Sequence, residues 1–428
     1  MHILLIHQFF LQDNEGGGSR WNEMSRIWTE KGHKVTVLTG SVHYMNQRSD
    51  SNSGKYFVKK INKDRVKVIS CFVSKSYTSG FFGRLWAYFS FSFSSIYGGI
   101  VYARDKYDLI IVTSPPLLIG LSAIVLSGIK QVPFLFEVRD LWPESAIDTG
   151  ILKNKLMIRV AFWFEAYLYQ KASMINVLTP AFRDILINQK NIPPEKIIYI
   201  PNASDFALAD RINADFDIFS FREQYALTDK FVITYVGAHG IANHLMQIVN
   251  AATLLRDTNC YFLLIGNGEQ KEALIAEATK RKLLNIQFID PMPKREVLKF
   301  VLASDMGASV LKKTDIFKTI FSNKTFDYFS CKRPVLMAID GISRQLIEEA
   351  DAGIFIEPEN AQDFADKVRY CLNNPDLLVR QGNHGYRYAK LYFDRDVLAQ
   401  KYLDYLEDCF GKHRNGKGKQ LVSFKKNL

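Results

Sequence analysis

The chain has 428 residues, which is too long for one compact core and indicates two or three domains. Hydrophobic residues make up 47% of it and charged residues 23%, and this balance excludes an intrinsically disordered protein. The net charge of +11 favours anionic partners such as nucleotides, acidic lipids or nucleic acid, and the dispersed cysteines and histidines show no metal-ligand spacing.

The N-terminal segment has the pattern of a βαβ unit, which opens a doubly wound parallel sheet. We predict a buried strand over residues 2–9, because MHILLIHQFF lacks the basic region and cleavage site of a signal peptide. Three glycines, residues 16–18, precede a helix and a second strand over residues 34–39. Glycines at this turn let a ligand approach the backbone, although the spacing is not G-x-G-x-x-G and a structural turn is the alternative.

Residues 41–66 are polar and aperiodic, and we predict a loop there. An aromatic run follows over residues 77–102, and its interruption by Arg84, serines and glycines argues against a membrane-spanning helix. Two interpretations stay open: a core helix of the first domain, or an exposed aromatic face that enters a membrane interface with Arg84 at the headgroups. The apolar face in the second interpretation comprises Phe81, Phe82, Leu85, Trp86 and Phe89.

A charged loop, VRDLWPES, follows the strand that we predict over residues 133–137. Open α/β sheets bind ligands at the carboxyl ends of their parallel strands. Arg139, Asp140 and Glu144 are therefore candidates for substrate contacts or proton transfer. The alternative is a surface ion pair between Arg139 and Asp140, with Trp142 packing the turn.

The two halves of the chain share one design. In the first half, an amphipathic helix over residues 152–171 has a basic start that also suits an anionic membrane. The last strand of this half covers residues 197–200, and Pro201-Asn202 marks a candidate domain junction. In the second half a strand over residues 231–236 leads into GAHGIANHL, and a strand over residues 261–265 leads into GNGEQ. Two domains that each begin with strand, glycine-rich turn and helix predict a ligand cleft between them.

Residues 318–336 read KTIFSNKTFDYFSCKRPVL and predict a polar loop, a helix and a strand. The first N–H groups of a helix have no partner within it, so a helix that opens at Ser322 and Asn323 is a ready phosphate site. Asp327 lies one turn further on and can reach hydroxyl groups of the same ligand. The alternative is an ordinary capped surface helix. A final helix over residues 388–410 precedes a basic tail that we expect to be disordered and at most weakly lipid-binding.

Taken in order, the segments GGGSR, VRDLWPES, IPN, VITYVGAHG, LLIGNGE and SNKTFDYFSCKRPVLMAI resemble family 4 retaining glycosyltransferases of the GT-B architecture. The resemblance is to the branch that assembles bacterial surface polysaccharides, including fucosamine transferases of O-antigen synthesis. It implies an α/β fold with two Rossmann-like domains facing each other across a cleft. The implied parts are an acceptor-binding domain over 1–202, a nucleotide-sugar-binding domain over 203–385, a C-terminal helix over 386–410 that crosses back to the first domain, and a tail over 411–428.

The family commonly carries two glutamates, and the resemblance transfers their roles only in part. Asp327 matches the second, which binds the ribose hydroxyls, whereas the first falls at Thr319 and is missing. The family's diphosphate-binding Arg and Lys fall near Asn243, so we predict His239 and Lys324 as substitutes. The predicted donor site comprises Gly17, Gly18, Gly237, His239, Asn243, Gly266, Pro291, Met292, Ser322, Asn323, Lys324, Thr325 and Asp327.

The resemblance also implies the reaction. Asp140, and second Arg139, are predicted to orient donor or acceptor hydroxyls, and the leaving phosphate takes the acceptor proton. The predicted membrane or acceptor contacts are Phe81, Phe82, Arg84 and Trp86.

The expected enzyme transfers a sugar, hexosyl or N-acetylaminosugar, from a UDP-linked donor to a polyprenyl-diphosphate-linked saccharide, with no cofactor and no metal. We expect it in the cytoplasm, peripheral on the inner face of the cytoplasmic membrane. The alternatives are a soluble acceptor, or a sugar-nucleotide-binding subunit that has lost catalysis with the missing glutamate. A nucleic-acid binder is not expected, because no recognisable module interleaves basic and aromatic residues.

Overall fold

The computed structural model describes residues 1–12, 15–41, 56–78 and 80–411. Contacts divide the chain into two compact units. Unit 1 comprises the described residues of 1–13, 19–201 and 396–428, and unit 2 comprises those of 14–18 and 202–395. Each unit has one β-sheet with helices packed against it.

Among the described residues, unit 1 has an eight-stranded sheet and unit 2 a six-stranded sheet. The strands of unit 1 are β1 (His2–Ile6), β2 (Lys34–Gly40), β3 (Phe57–Ile61), β4 (Lys67–Cys71), β5 (Leu109–Ser114), β6 (Phe134–Val138), β7 (Met174–Val177) and β8 (Ile197–Tyr199). Those of unit 2 are β9 (Phe231–Val236), β10 (Cys260–Ile265), β11 (Ile286–Ile289), β12 (Met306–Val310), β13 (Val335–Ala338) and β14 (Gly353–Phe355). The strand orders are β3-β4-β2-β1-β5-β6-β7-β8 and β11-β10-β9-β12-β13-β14. Neighbouring strands are parallel in both sheets, apart from the antiparallel pair β3 and β4.

Helices connect the strands in both units. The first six are α1 (Arg20–Glu30), α2 (Gly80–Val101), α3 (Gly120–Lys130), α4 (Glu144–Asp148), α5 (Lys155–Lys171) and α6 (Pro180–Asn188). The next nine are α7 (Phe206–Asp215), α8 (Ile218–Gln224), α9 (Met246–Leu254), α10 (Lys271–Lys280), α11 (Lys294–Leu302), α12 (Asn323–Ser330), α13 (Ile342–Glu349), α14 (Ala361–Leu372) and α15 (Pro375–Tyr392). The last is α16 (Arg395–Phe410), which returns the chain to unit 1 from residue 396.

The core of unit 1 lies along its central strands. β5 and β6 are buried at every position, as expected for parallel strands covered on both faces. One buried ion pair crosses this core: Arg20 Nη2 lies 3.0 Å from Glu137 Oε2, and both side chains are almost fully buried. Asn176 donates to the same carboxylate at 2.9 Å, and Arg20 also donates to the carbonyl of Ile200 at 3.0 Å. These hydrogen bonds compensate the charges and join α1, β6, β7 and the end of β8.

Two segments differ from the sequence prediction. β3 occupies part of the predicted loop of residues 41–66, because FVKKI is an edge strand with a largely exposed, lysine-bearing side and therefore lacks strong alternation. The predicted helix over residues 388–410 is interrupted between α15 and α16. There the Ser204 N–H donates to the Phe393 carbonyl and the Arg395 N–H donates to the Ser204 carbonyl, so the chain pairs with residue 204 instead of continuing the helix.

Candidate active site

The candidate donor site of unit 2 lies where the strand order reverses. β9 and β12 are neighbours, and the chain continues from them to opposite sides of the sheet. Such a switch point opens a crevice at the carboxyl ends of its two strands. β9 ends directly before Gly237, and the segment after β12 leads to the start of α12. The glycine turn at Gly237 and the SNKT segment, residues 322–325, are thus both positioned by the switch-point strands.

Tyr328 fixes α12 to these two strands. The Val236 N–H donates to its hydroxyl at 3.1 Å, and that hydroxyl donates to the Ala308 carbonyl at 3.0 Å. A Cβ on Gly307 would lie 2.3 Å from the Tyr328 ring, so glycine is required there for the close packing. α12 is therefore held, through Tyr328 in its second half, by hydrogen bonds to the residues of both strands.

Two glycine turns pack against each other at the same edge. Gly237 has φ +143° and Gly266 has φ +152°, values that side-chain-bearing residues rarely adopt. A Cβ on Gly266 would lie 1.8 Å from the Gly237 carbonyl oxygen. The turn after β10 can therefore approach the turn after β9 only because residue 266 is glycine.

Lys324 places an ammonium group beside the first of these turns. Its Nζ lies 4.8 Å from the centroid of the Tyr235 ring and 3.4 Å from Ser322 Oγ, and its Cε lies 3.3 Å from where a Cβ on Gly237 would be. Burial lowers the pKa of this ammonium to about 8. In the described ranges of the chain Lys324 forms no ion pair, and a half-buried cation without a counter-charge favours an anionic ligand.

Asp327, one turn along α12, already has two partners within unit 2. Its Oδ1 lies 3.1 Å from Lys294 Nζ and accepts from the Ser204 hydroxyl at 2.7 Å. Over the described residues its Oδ2 has no such partner and can accept a ligand hydroxyl. Sequence reasoning missed Lys294 and Ser204, since neither belongs to a recognised motif.

His239 contributes through its main chain. Its N–H donates to the Asn267 carbonyl and its carbonyl accepts from the Gln270 N–H, both at 2.9 Å. The ring is fully buried and neither ring nitrogen has a partner among the described residues. Burial, and then the charge of Lys271, lower the pKa of the imidazole to about 4, so it is neutral at physiological pH. Burial leaves the His239 ring neutral, whereas Lys324 carries an ammonium group, and the phosphate contacts predicted for both residues stay predictions.

The remaining predicted donor residues occupy three places in unit 2. Asn243 ends a 3₁₀ turn whose preceding residue, Gly240, accepts its N–H at 3.1 Å. Pro291 and Met292 follow β11. Gly17 and Gly18 lie in the described stretch 15–18, whose contacts assign it to unit 2.

At α12 the polar residues differ in exposure. Ser322 is buried and accepts from Ser309 Oγ at 2.6 Å, and Asn323 is exposed. Thr325 Oγ1 is buried and has no partner in the part of the chain that the structure describes. Thr319, at the position of the missing glutamate, donates its hydroxyl to the Ile316 carbonyl at 2.6 Å. A hydroxyl turned toward its own main chain does not replace the carboxylate.

In unit 1, Arg139 and Asp140 follow the carboxyl end of β6, as predicted. Asp140 Oδ2 accepts from the Ser145 hydroxyl at 2.7 Å, and burial raises the pKa of Asp140 to about 6. The Arg139 N–H donates to the Ser114 carbonyl at 3.3 Å. Glu144, the third candidate of this loop, instead pairs with Lys190 at 2.6 Å. The loop therefore presents one carboxyl group whose protonation changes near neutral pH.

The aromatic run forms α2, which fits both open interpretations in part. Phe91 is fully buried in the core, whereas Trp86 is 60% exposed. The side chains of Phe81, Phe82 and Arg84 lie outside the described part of the structure. Among the helices that the structure describes, none has the length and apolarity to cross a membrane. The described His, Cys, Asp and Glu side chains form no cluster suited to a metal ion.

Two known domain profiles match the chain, one in each half. The profile of the glycosyl transferase 4-like domain matches residues 15–203, and that of glycosyl transferases group 1 matches residues 217–388. The chain belongs to the glycosyltransferases with the GT-B fold, which accounts for its two α/β units.

Individual relatives are distant but cover the chain almost completely. The chain is 23% identical over 411 residues to the provisionally named colanic acid biosynthesis glycosyl transferase WcaI of Escherichia coli K12, which aligns 94% of this chain and 99% of that protein. It is similar to the sucrose-phosphate synthase of Thermosynechococcus elongatus, with a TM-score of 0.74, 14% identity and coverage of 96% and 99%. It is also similar to HepE of Anabaena in complex with UDP and glucose, with a TM-score of 0.71, 16% identity and coverage of 95% and 100%. These likenesses confirm the predicted two-domain α/β fold.

Proposed function

We propose that this glycosyltransferase transfers a sugar from a UDP-linked donor to a lipid-linked saccharide, with retention of configuration and without a metal ion, in the synthesis of a bacterial surface polysaccharide. One observation carries the donor half of this proposal. The ammonium of the half-buried Lys324, which has no counter-charge among the described residues, lies at the start of α12, one turn before Asp327, whose Oδ2 has no partner there either. A nucleoside diphosphate presents both an anion for the ammonium and ribose hydroxyls for the carboxylate.

The chemistry follows from where negative charge develops. Departure of the sugar leaves charge on the β-phosphate, and donors that are fixed in advance stabilise that charge most. Lys324 and the main-chain N–H groups of Asn323 and Lys324 at the start of α12 supply such donors, and the positive end of the helix dipole adds to them. Asp327 Oδ2 accepts a ribose hydroxyl, while Lys294 and Ser204 hold its Oδ1 in place.

The donor nucleotide and the product class are supported by relatives. HepE, which is similar in fold, has been seen with UDP and glucose, and WcaI is named for colanic acid biosynthesis. On the acceptor side, Asp140 is the carboxyl group that we assign to orient a sugar hydroxyl. The departing phosphate then takes the acceptor proton, which fits a transfer with retention of configuration.

Exposed apolar side chains support the membrane half of the proposal. On α5, Leu156, Val160 and Trp163 follow helical spacing and are 69%, 54% and 65% exposed. Arg159 lies between them in sequence and is exposed too. Trp86 on α2 is a further exposed aromatic. Basic and apolar side chains on one helix suit an interfacial position at an anionic membrane, where a lipid-linked acceptor is found.

A thermal-stability screen with nucleotide sugars tests the proposal. We expect at least one UDP-sugar to raise the unfolding midpoint, because a ligand at 100 times its dissociation constant stabilises the native state by about 2.7 kcal/mol. Asp327→Ala should lose most of that shift. Asp315→Ala is the matched control, since its carboxylate is 92% exposed and pairs with Lys318. If no nucleotide sugar shifts the midpoint, the proposal is wrong.

Binding without turnover would favour the alternative of an inactive subunit. The enzyme that responds in the screen should release UDP from the same donor when a lipid-linked saccharide is added. A stabilised protein that releases no UDP with any donor and acceptor would indicate that the carboxylate absent at Thr319 is essential.

A further inference from the structure

Unit 1 contains a cavity of about 600 Å³ that the proposed reaction does not use. It lies along the second half of α5 and the segment that follows α6, and its volume is within the range of small-molecule sites. Its lining combines an ion-pair cluster, aromatic rings and exposed carboxamides. These three kinds of group restrict the ligands that can bind.

The ion-pair cluster is centred on Lys190. Its Nζ lies 2.6 Å from Glu144 Oε1 and 2.6 Å from Glu165 Oε2, and Tyr169 donates to Glu165 Oε1 at 2.8 Å. Lys196 also lines the cavity, so its described walls contain two carboxyl and two amino groups. Burial raises the pKa of Glu165 to about 7, so the lining has only a small net charge near neutral pH and does not favour a strongly charged ligand.

The other walls suit a ligand with hydroxyl groups. Gln170, Gln189 and Asn191 line the cavity, and their side-chain amides make no hydrogen bond to any residue that the structure describes. A carboxamide both donates and accepts, as each hydroxyl group also does. Phe162 adds a ring that is 37% exposed, and Lys190 Nζ lies 5.4 Å from its centroid. Such a ring provides an apolar surface for the C–H groups of a sugar.

We propose that this cavity is a carbohydrate-binding site for a neutral oligosaccharide, in addition to the nucleotide-sugar site of unit 2. The choice of a saccharide rests on the proposed function as well as on the lining, although binding itself requires no turnover. The site adjoins the candidate acceptor loop. Glu144 is the first residue of α4, and the next residue, Ser145, donates to Asp140 at 2.7 Å. An oligosaccharide in the cavity therefore contacts the helix that positions Asp140.

Saturation-transfer NMR on the full chain tests this proposal. The probes are maltotriose, chitotriose and mannotriose, each added without nucleotide. We expect at least one to receive saturation from the protein, and Phe162→Ala to reduce that signal about fivefold, because the aromatic surface is lost. Gln189→Ala, an exposed position, should reduce the signal as well.

Trp163→Ala is the matched control on the same helix. Trp163 is 65% exposed and stacks on Tyr167 at 5.8 Å, and neither residue lines the cavity. Its replacement should leave the trisaccharide signal unchanged. The proposal is overturned if none of the three sugars shows transfer, or if the signal survives both Phe162→Ala and Gln189→Ala. Stabilisation by UDP, measured on the same samples, separates this outcome from a failure of the proposed function.

Discussion

The ammonium of Lys324 determines what the first turn of α12 can bind. It lies near the Ser322 hydroxyl and the Tyr235 ring, and no carboxylate of the described chain pairs with it. A buried amine in such a place either gives up its proton or gains an anion. The pKa of about 8 reflects the easier loss of the proton, and a bound diphosphate would supply the anion.

The lowered pKa of Lys324 predicts that the protein takes up protons when UDP binds. Near pH 8 the Lys324 amine is about half protonated, and a bound diphosphate favours the charged form, so UDP binding should take up about half a proton. Calorimetric titrations with UDP in Tris and in HEPES buffer at pH 8 should then give different enthalpies. Lys324→Arg should still bind UDP but lose the difference, because arginine stays charged. Equal enthalpies for the wild-type protein in both buffers would contradict the assignment.

The buried imidazole of His239 predicts a pH effect on stability. Its pKa is about 4 in the folded protein and near 6.5 when unfolded, so the unfolded state binds the proton first as the pH falls. Stability is therefore lost between about pH 6.5 and 4, by about 2 kcal/mol at pH 5. His239→Gln should lose less stability than the wild type between pH 7.5 and pH 5, as measured by thermal unfolding. An identical loss in both proteins would show that this ring does not titrate as described.

At the scale of elements, the glycine turns after β9 and β10 pack against each other, and the first of them lies beside Lys324. Gly266→Ala should lower the free energy of unfolding by more than about 2 kcal/mol and weaken UDP binding, because its Cβ would overlap the Gly237 carbonyl. Gly240→Ala is the control, since the nearest atom to its Cβ would be Asn243 Oδ1 at 3.5 Å. Urea unfolding and UDP titration check both. Equal behaviour of the two variants would refute the role of this packing.

How much of the site was predictable depended on how local each signal is. The glycine turns and the SNKT helix start were found because strand ends, glycines and helix starts leave short patterns. Lys294 was not found, because it meets Asp327 only after two segments 33 residues apart fold together. Ser204 meets the same carboxylate across 123 residues. The burial of the His239 ring was not foreseen, because it cannot be seen in a glycine-rich motif.

The same limit applied to whole elements. Buried parallel strands such as β5 were predictable as continuous apolar runs. The edge strand β3 was not, because lysines on its exposed side resemble a loop. The break between α15 and α16 was also missed, since the chain there pairs with Ser204, which lies far away in sequence.

At the scale of the whole molecule, the net charge of +11 and the exposed apolar residues of unit 1 predict membrane binding. The wild-type protein should sediment with vesicles of anionic lipid, and less with neutral vesicles. Trp86→Ser combined with Trp163→Ser should reduce sedimentation severalfold, because two aromatic side chains leave the interface. Phe219→Ser is the control: its ring is 68% exposed but lies in unit 2. Unchanged sedimentation of the double variant would contradict this part of the account.

The most direct test of the account is the affinity of the full chain for UDP, measured by isothermal titration for the wild type and two lysine variants. Lys324→Ala should weaken binding about 30-fold, as expected for the loss of a charge-assisted hydrogen bond to phosphate. Lys318→Ala should bind like the wild type, because that lysine is half-exposed and pairs with Asp315. The account is contradicted if the wild-type protein does not bind UDP, or if Lys324→Ala binds it as tightly as the wild type does.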